Sequence, residues 1–121
     1  SLIRICFPKM ELAYNEMKSI LLEKLEFTAV FTYNDLMMLG VVKMFQETGI
    51  SVPEDISLMG FDDIDFVSLL TPALTTVSID KYNIGVESAN MLLRIIHGEK
   101  VIDNTKLVPS TLIVRNSTRK I

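Results

Sequence analysis

The sequence predicts an α/β fold, a parallel sheet flanked by helices. Stretches with helical apolar spacing alternate with short runs rich in β-branched and aromatic residues, and the strand-like runs ending at Tyr33 and Phe61 are followed by polar residues suited to open a helix or a turn. Strand, helix and strand in that order between Thr28 and Phe61 imply two parallel strands joined by a right-handed crossover.

Ser1 to Phe7 is apolar and reads as a strand that begins abruptly, as if cut from something longer; it has neither the long apolar region nor the small-residue cleavage site of a signal peptide. From Met10 to Lys24, Ala13, Met17, Ile20 and Leu21 recur at the spacing of one helical face, with Glu and Lys opposite. Thr28-Ala-Val-Phe-Thr-Tyr33 is strand-like, and Asn34 or Asp35 can cap the helix that follows. That helix, Leu36 to Thr48, stops at Gly49, and Pro53 blocks its continuation. At about 100° per residue, Met37, Val41, Met44 and Phe45 form its inner arc, with Met38 and Val42 at the edge.

Asp55 to Phe61 is the next strand, apolar nearly throughout as expected of one covered on both faces, and it ends in Asp62-Asp63. Thr71 to Ile79 is extended after Pro72, Lys81 to His97 is an amphipathic helix stopped by Gly98, and Leu107 to Arg115 is a last strand. The Lys81 helix has a main apolar stripe of Tyr82, Val86, Ala89, Leu93 and Ile96, and a weaker group of Ile84, Met91 and Ile95.

With 121 residues, 49% of them hydrophobic and 22% charged, the chain can build one core. A net charge of -3 argues against a direct nucleic-acid surface, which needs a concentrated basic face. Cys6 is the only cysteine, so neither an intramolecular disulfide nor a cysteine metal cluster is expected, and a reducing, cytoplasmic setting fits. Apolar stretches such as Leu36 to Leu39 and Met91 to Leu93 fall far short of the ~20 residues that cross a bilayer.

In an open parallel sheet, ligands settle outside the carboxyl ends of the strands. Asn34-Asp35 and Asp62-Asp63 should therefore share one rim. An asparagine brings donors and an acceptor, and an ionised aspartate accepts from neighbouring hydroxyls, the inventory that grips a polyol or sugar. The plainer reading, favoured by chemistry alone, is that Asn34 or Asp35 caps a helix and Asp62 or Asp63 makes a turn. The paired aspartates also suit a hard cation, but lysine and hydroxyl partners at equivalent strand ends are missing, so no metal or cofactor is expected. There is no Gly-x-Ser-x-Gly elbow, and His97 sits where it would satisfy a helix end, so no catalytic site is expected. Leu36 and Leu39 fall among Lys43, Gln46 and Glu47, on the side expected to face water; they are either ordinary surface leucines or a partner interface.

The run Thr28-Ala-Val-Phe-Thr-Tyr-Asn-Asp-Leu-Met-Met-Leu-Gly40, then Gly49-Ile-Ser-Val-Pro-Glu-Asp-Ile-Ser-Leu-Met-Gly-Phe-Asp-Asp63, resembles the LacI/GalR transcription regulators. Thr71-Pro-Ala-Leu-Thr-Thr-Val77, Gly85 and Val114-Arg-Asn-Ser-Thr118 continue the resemblance in order. Such regulators join a helix-turn-helix headpiece to a two-lobed, periplasmic-binding-protein-like core that closes on a small molecule and dimerises. The resemblance implies that this chain is the C-terminal lobe of that fold, without a headpiece. Residues 1–79 and 108–121 fall to the second lobe, and 80–107 to a segment that belongs with the first, with crossings near Val77 to Lys81 and Lys106 to Pro109. The Lys81 helix would then lack its usual sheet partner and is expected to repack or to pair with another chain.

Carried over by position, Asn34 and Asp62 match effector contacts, while Asp35 and Asp63 match capping or supporting residues behind them. Ile79 stands where many relatives place a glutamine, which removes a hydrogen bond at the hinge side of the pocket and leaves the effector's class open. Leu39 and Leu70 lie on the elements such regulators use to dimerise, with Leu36 beside them. The partners implied are a small-molecule effector, carbohydrate or related, a second copy of the chain, and DNA through a headpiece absent here. A periplasmic sugar-binding transport protein is the alternative; the Val-Pro-Glu-Asp-Ile-Ser segment and the terminal Arg-Asn-Ser-Thr are more like the repressors.

Overall fold

Helix α2 (Asp35–Thr48) organises the middle of the chain, and its ends are set by local chemistry. In the computed structural model, which describes residues 1–100 and 105–120, the Asn34 side-chain oxygen accepts from the Met37 amide at 2.9 Å and so satisfies one of the free donors of the first turn. At the other end Gly49 takes the left-handed conformation, φ 73°, and its amide closes on the Phe45 carbonyl.

Around α2 the elements follow as α1 (Met10–Leu22), β1 (Ala29–Phe31), then β2 (Ser57–Phe61), a 3₁₀ turn (Asp65–Ser68), β3 (Thr75–Ile79), α3 (Lys81–Ile96) and β4 (Ser110–Ile113). The sheet order is β1-β2-β3-β4. β1, β2 and β3 are parallel, with Val30 beside Leu58 and Gly60 beside Thr76.

β4 is antiparallel to β3, with Ile79 paired to Ser110, so the sheet is mixed rather than wholly parallel. The cause is α3, which does not act as a crossover helix. It carries no buried residue, leaves the sheet without packing on it, and the chain re-enters the sheet running the other way.

Burial corrects three further expectations. Ser1 to Phe7 forms no strand; it lies against α1 instead, with Arg4 donating to Glu23 at 2.5 Å, and its Ile3, Ile5 and Phe7 are exposed. β2 is covered on one face only. Leu58 and Gly60 are buried under α2, whereas Ser57, Met59 and Phe61 are half-buried, because no helix among the described residues closes the opposite face. In α2 it is Met38 that is fully buried, over Gly60, while Met37 is half-covered and lines an open cavity with Leu2, Ala13 and Tyr33.

The core joins Met17 and Ile20 of α1, Met38, Val41, Met44 and Phe45 of α2, and Ile56, Leu58, Val67 and Leu74. Two glycines permit the close approaches. A Cβ on Gly40 would stand 2.1 Å from the Met10 carbonyl oxygen of α1, and one on Gly60 would stand 2.3 Å from an Asp35 carboxylate oxygen. The carboxyl-terminal tail completes the sheet's lower edge: the buried Ser117 hydroxyl donates to the Leu58 carbonyl at 2.6 Å and accepts from the Thr75 amide at 2.7 Å.

Gly40→Ala is expected to lower unfolding stability by about 1–3 kcal/mol, because the backbone of α1 must move. Gly85→Ala on α3, where a Cβ meets nothing within 4 Å, is expected to be neutral or to stabilise by up to ~1 kcal/mol. Urea denaturation of both variants checks the contrast.

Candidate functional site

Helices α1 and α2 run side by side in the same direction. Gly40 of α2 lies against Met10 of α1, and further along both helices the Tyr14 hydroxyl donates to Glu47 at 2.5 Å. The start of α2 meets the carboxyl end of β1 and, through Asp35, is bonded to Thr76 of β3 and to Ile64 after β2, so it stands at the rim where an open α/β sheet collects ligands. The structure brings Asn34, Asp35, Asp62 and Asp63 together there and gives each a different task.

Asn34 uses its side-chain oxygen as the α2 cap. Its side-chain nitrogen has no protein acceptor among the described residues, and the residue stays half-exposed.

Asp35 is fully buried and does not cap. One carboxylate oxygen accepts from the Thr76 hydroxyl at 2.6 Å, and the other accepts from the Ile64 amide at 3.0 Å. This ties the start of α2 to β3 and to the turn after β2.

Asp62 and Asp63 form that turn, with φ of 107° and 51°. Both lie in the left-handed region that disfavours residues bearing a Cβ, at a cost on the order of 1–3 kcal/mol each. The Asp62 amide donates to the Val77 carbonyl at 2.9 Å, and the Asp62 carbonyl accepts from Lys81 Nζ at 2.6 Å. Its carboxylate has no protein donor among the described residues. The Asp63 carboxylate is held by Arg115 at 2.7 Å. The capping reading is therefore realised at Asn34 and the turn-forming reading at Asp62 and Asp63, while the Asp62 carboxylate and the Asn34 side-chain nitrogen have no protein partner among the described residues.

Sequence reasoning passed over three residues of this constellation. Thr76 gave no signal beyond its strand propensity. Lys81 read only as the first residue of a helix, and Arg115 only as part of a terminal motif. Tyr33, 74% exposed, adds an aromatic face at the end of β1. Ile79 is half-buried in β3.

The three leucines separate. Leu36 is 45% exposed, whereas Leu39 and Leu70 are partly buried against the core. Phe66 and Leu69, on and just after the 3₁₀ turn, are exposed as well, and Ile64, the residue before that turn, is hydrogen-bonded to Asp35 at the start of α2.

Among the described residues no three His, Cys, Asp or Glu side chains are placed to hold a metal ion, and no helix is long and apolar enough to cross a membrane. Burial, with Glu16 adding, pushes the Cys6 thiol above its ordinary pKa, which lowers its thiolate fraction.

Residues 7–118 match a family model described as the periplasmic binding protein-like domain. The HTH-type transcriptional repressor CytR of Escherichia coli K12 is 41% identical over 92 residues, which is 76% of this chain and 27% of that protein. The chain thus spans about a quarter of the length of this relative. Among solved structures, the lac repressor dimer bound to operator and an anti-inducer superposes with a TM-score of 0.84 at 31% identity, over 91% of this chain and 38% of that one. A LacI family regulator from Enterococcus faecium with bound ribose gives 0.80 at 31% identity, over 91% and 40%.

Asp35→Ala is expected to destabilise the fold by about 2–4 kcal/mol, since it leaves the buried Thr76 hydroxyl and Ile64 amide without their acceptor. Asn34→Ala removes a cap and should cost only about 1 kcal/mol. Equal losses for the two in chemical denaturation would contradict the buried bridge.

Proposed function

We propose, from the premise that this chain belongs to the periplasmic binding protein-like domain family, that it is the effector-sensing and dimerising part of a LacI/GalR-type, DNA-binding transcription regulator. One observation carries the reading: at the carboxyl rim of a parallel sheet, the Asp62 carboxylate and the Asn34 side-chain nitrogen have no protein partner among the described residues, while the neighbouring Asp35 and Asp63 carboxylates are bonded to Thr76, Ile64 and Arg115. That arrangement suits a hydroxyl-rich small molecule, a carbohydrate or a relative of one. The module binds rather than catalyses, and it works in the cytoplasm, where DNA contact falls to a helix-turn-helix headpiece outside this chain. The transport-protein alternative is not favoured, because the curated relative and both solved structures named above are transcription regulators.

In this reading residues 1–79 and 108–121 build one lobe and 80–107 belongs with the other; residues 101–104 and 121 lie outside the described residues. The bare state of α3 supports the division. Its main stripe stays open, with Tyr82, Leu93 and Ile96 83%, 51% and 67% exposed, while Met91 of the weaker group is half-covered beside Lys106 and Val108. Burial of such side chains elsewhere would contribute roughly 1.5–3 kcal/mol each. Homodimerisation is assigned to the surface of Leu36, Leu39 and Leu70, to which the exposed Phe66 and Leu69 add apolar area.

In the full-length protein, Asn34→Ala and Asp62→Ala are each expected to weaken ribose-class ligand binding about tenfold, or ~1.4 kcal/mol, with ligand-free DNA binding unchanged. Calorimetry and promoter-DNA anisotropy read the two quantities, and unaltered ligand affinity in both variants would sink the assignment. For the interface, light scattering across a concentration series should show a dimer that Leu36→Arg converts to monomer. A wild-type monomer at every concentration would remove the dimer surface from this reading.

A further inference from the structure

We propose that Arg115 is a positioning residue for the effector site: by gripping Asp63 it fixes the left-handed turn that presents the Asp62 carboxylate at the rim. The inference rests on the reading of Asp62 as an effector contact and deepens it.

Two consecutive residues with positive φ and side chains, Asp62 and Asp63, form a turn that relaxes unless its surroundings over-determine it. The hydrogen bonds around it come from separate parts of the chain. The Asp62 amide is held by the Val77 carbonyl of β3, and the Ile64 amide by Asp35 of α2. At Asp63, the centre of the turn, the side-chain anchor among the described residues is Arg115.

The geometry of that anchor is specific. One terminal nitrogen of the guanidinium donates to the Asp63 carboxylate at 2.7 Å, and the other donates to the Leu74 carbonyl at 2.8 Å. The Arg115 backbone amide donates to the Thr75 hydroxyl at 2.9 Å. A planar fork spanning two acceptors fixes direction as well as distance, which a lysine ammonium does not. The two side chains are only 19% and 23% exposed, so water and salt screen the pair less than a surface ion pair.

Position in the chain makes the grip informative. Arg115 lies two residues past β4, the strand that follows the 80–107 segment, while Lys81, which holds the Asp62 carbonyl, stands at the start of that segment. The turn is therefore clasped from both sides of the excursion, so a displacement of residues 80–107 relative to the sheet bears directly on where Asp62 points.

Amide hydrogen exchange of the 121-residue chain tests the grip without any ligand. In Arg115→Met, protection at the Asp62 and Ile64 amides should fall at least tenfold while Val41 and Phe45 in α2 stay protected; Arg115→Lys should fall between. Unchanged protection at Asp62 and Ile64 overturns the proposal. Should Arg115→Met lose protection throughout α2, Asp63→Asn, which keeps the arginine and the side-chain shape, decides the matter on the same two amides. Ribose affinity of full-length Arg115→Met then separates the two layers: a tenfold loss with an unchanged thermal midpoint supports both. Lost protection with unaltered ribose affinity overturns the effector role of Asp62 and leaves the grip of Arg115 standing.

Discussion

A carboxylate sealed from water has to find donors inside the protein, and the rest of this structure is arranged around that requirement at Asp35. An unsatisfied buried polar group costs more than a typical hydrogen bond contributes, so the positions of its two donors are not free. The Thr76 hydroxyl fixes β3 beside β2, and the Ile64 amide fixes the chain leaving β2. Gly60 is a condition of the same arrangement, since a side chain there would occupy the space taken by the carboxylate and by Met38. One charged residue thereby aligns a helix, two strands and a turn at the edge where the sheet presents its polar groups.

The rim divides its labour by depth. Asp35 and Asp63 accept from protein donors, Asn34 uses its side-chain oxygen as a cap, and the Asp62 carboxylate has no protein donor among the described residues. The strain of two left-handed residues is tolerated because β3, α2, Lys81 and Arg115 each hold the turn. Strain held in this way is common where a protein needs a group pointed in one direction before a ligand arrives.

The same chain leaves considerable apolar surface uncovered. The sheet face opposite α2 carries Phe31, Met59, Phe61 and Val77 with no helix among the described residues over it, and α3 carries no buried residue at all. Isolated apolar side chains on a surface are ordinary, but a whole helix stripe is not. Under the proposed reading the first lobe and the partner protomer cover these faces. The antiparallel return of β4 is then the backbone trace of a chain that leaves the sheet, contributes a helix elsewhere and comes back.

Much of this was legible in the order of residues. Helical spacing, the Asn34 cap and the Gly49 and Gly98 stops are local effects, decided within a few residues, and α1, α2 and α3 lie within two residues of the ranges read from the sequence. The polar pairs at the ends of β1 and β2 are likewise local, and the parallel crossover places them on one rim. Other features needed the tertiary structure. Which aspartate is buried, which is clasped and which is free depends on Thr76, Ile64 and Arg115, residues 41, 29 and 52 positions away from their carboxylate partners. The direction of β4, the one-sided cover of β2 and the unpaired Ser1 to Phe7 depend on which helices come to lie on the sheet. Periodicity marks a face as apolar; only the packing of distant segments decides whether anything covers it.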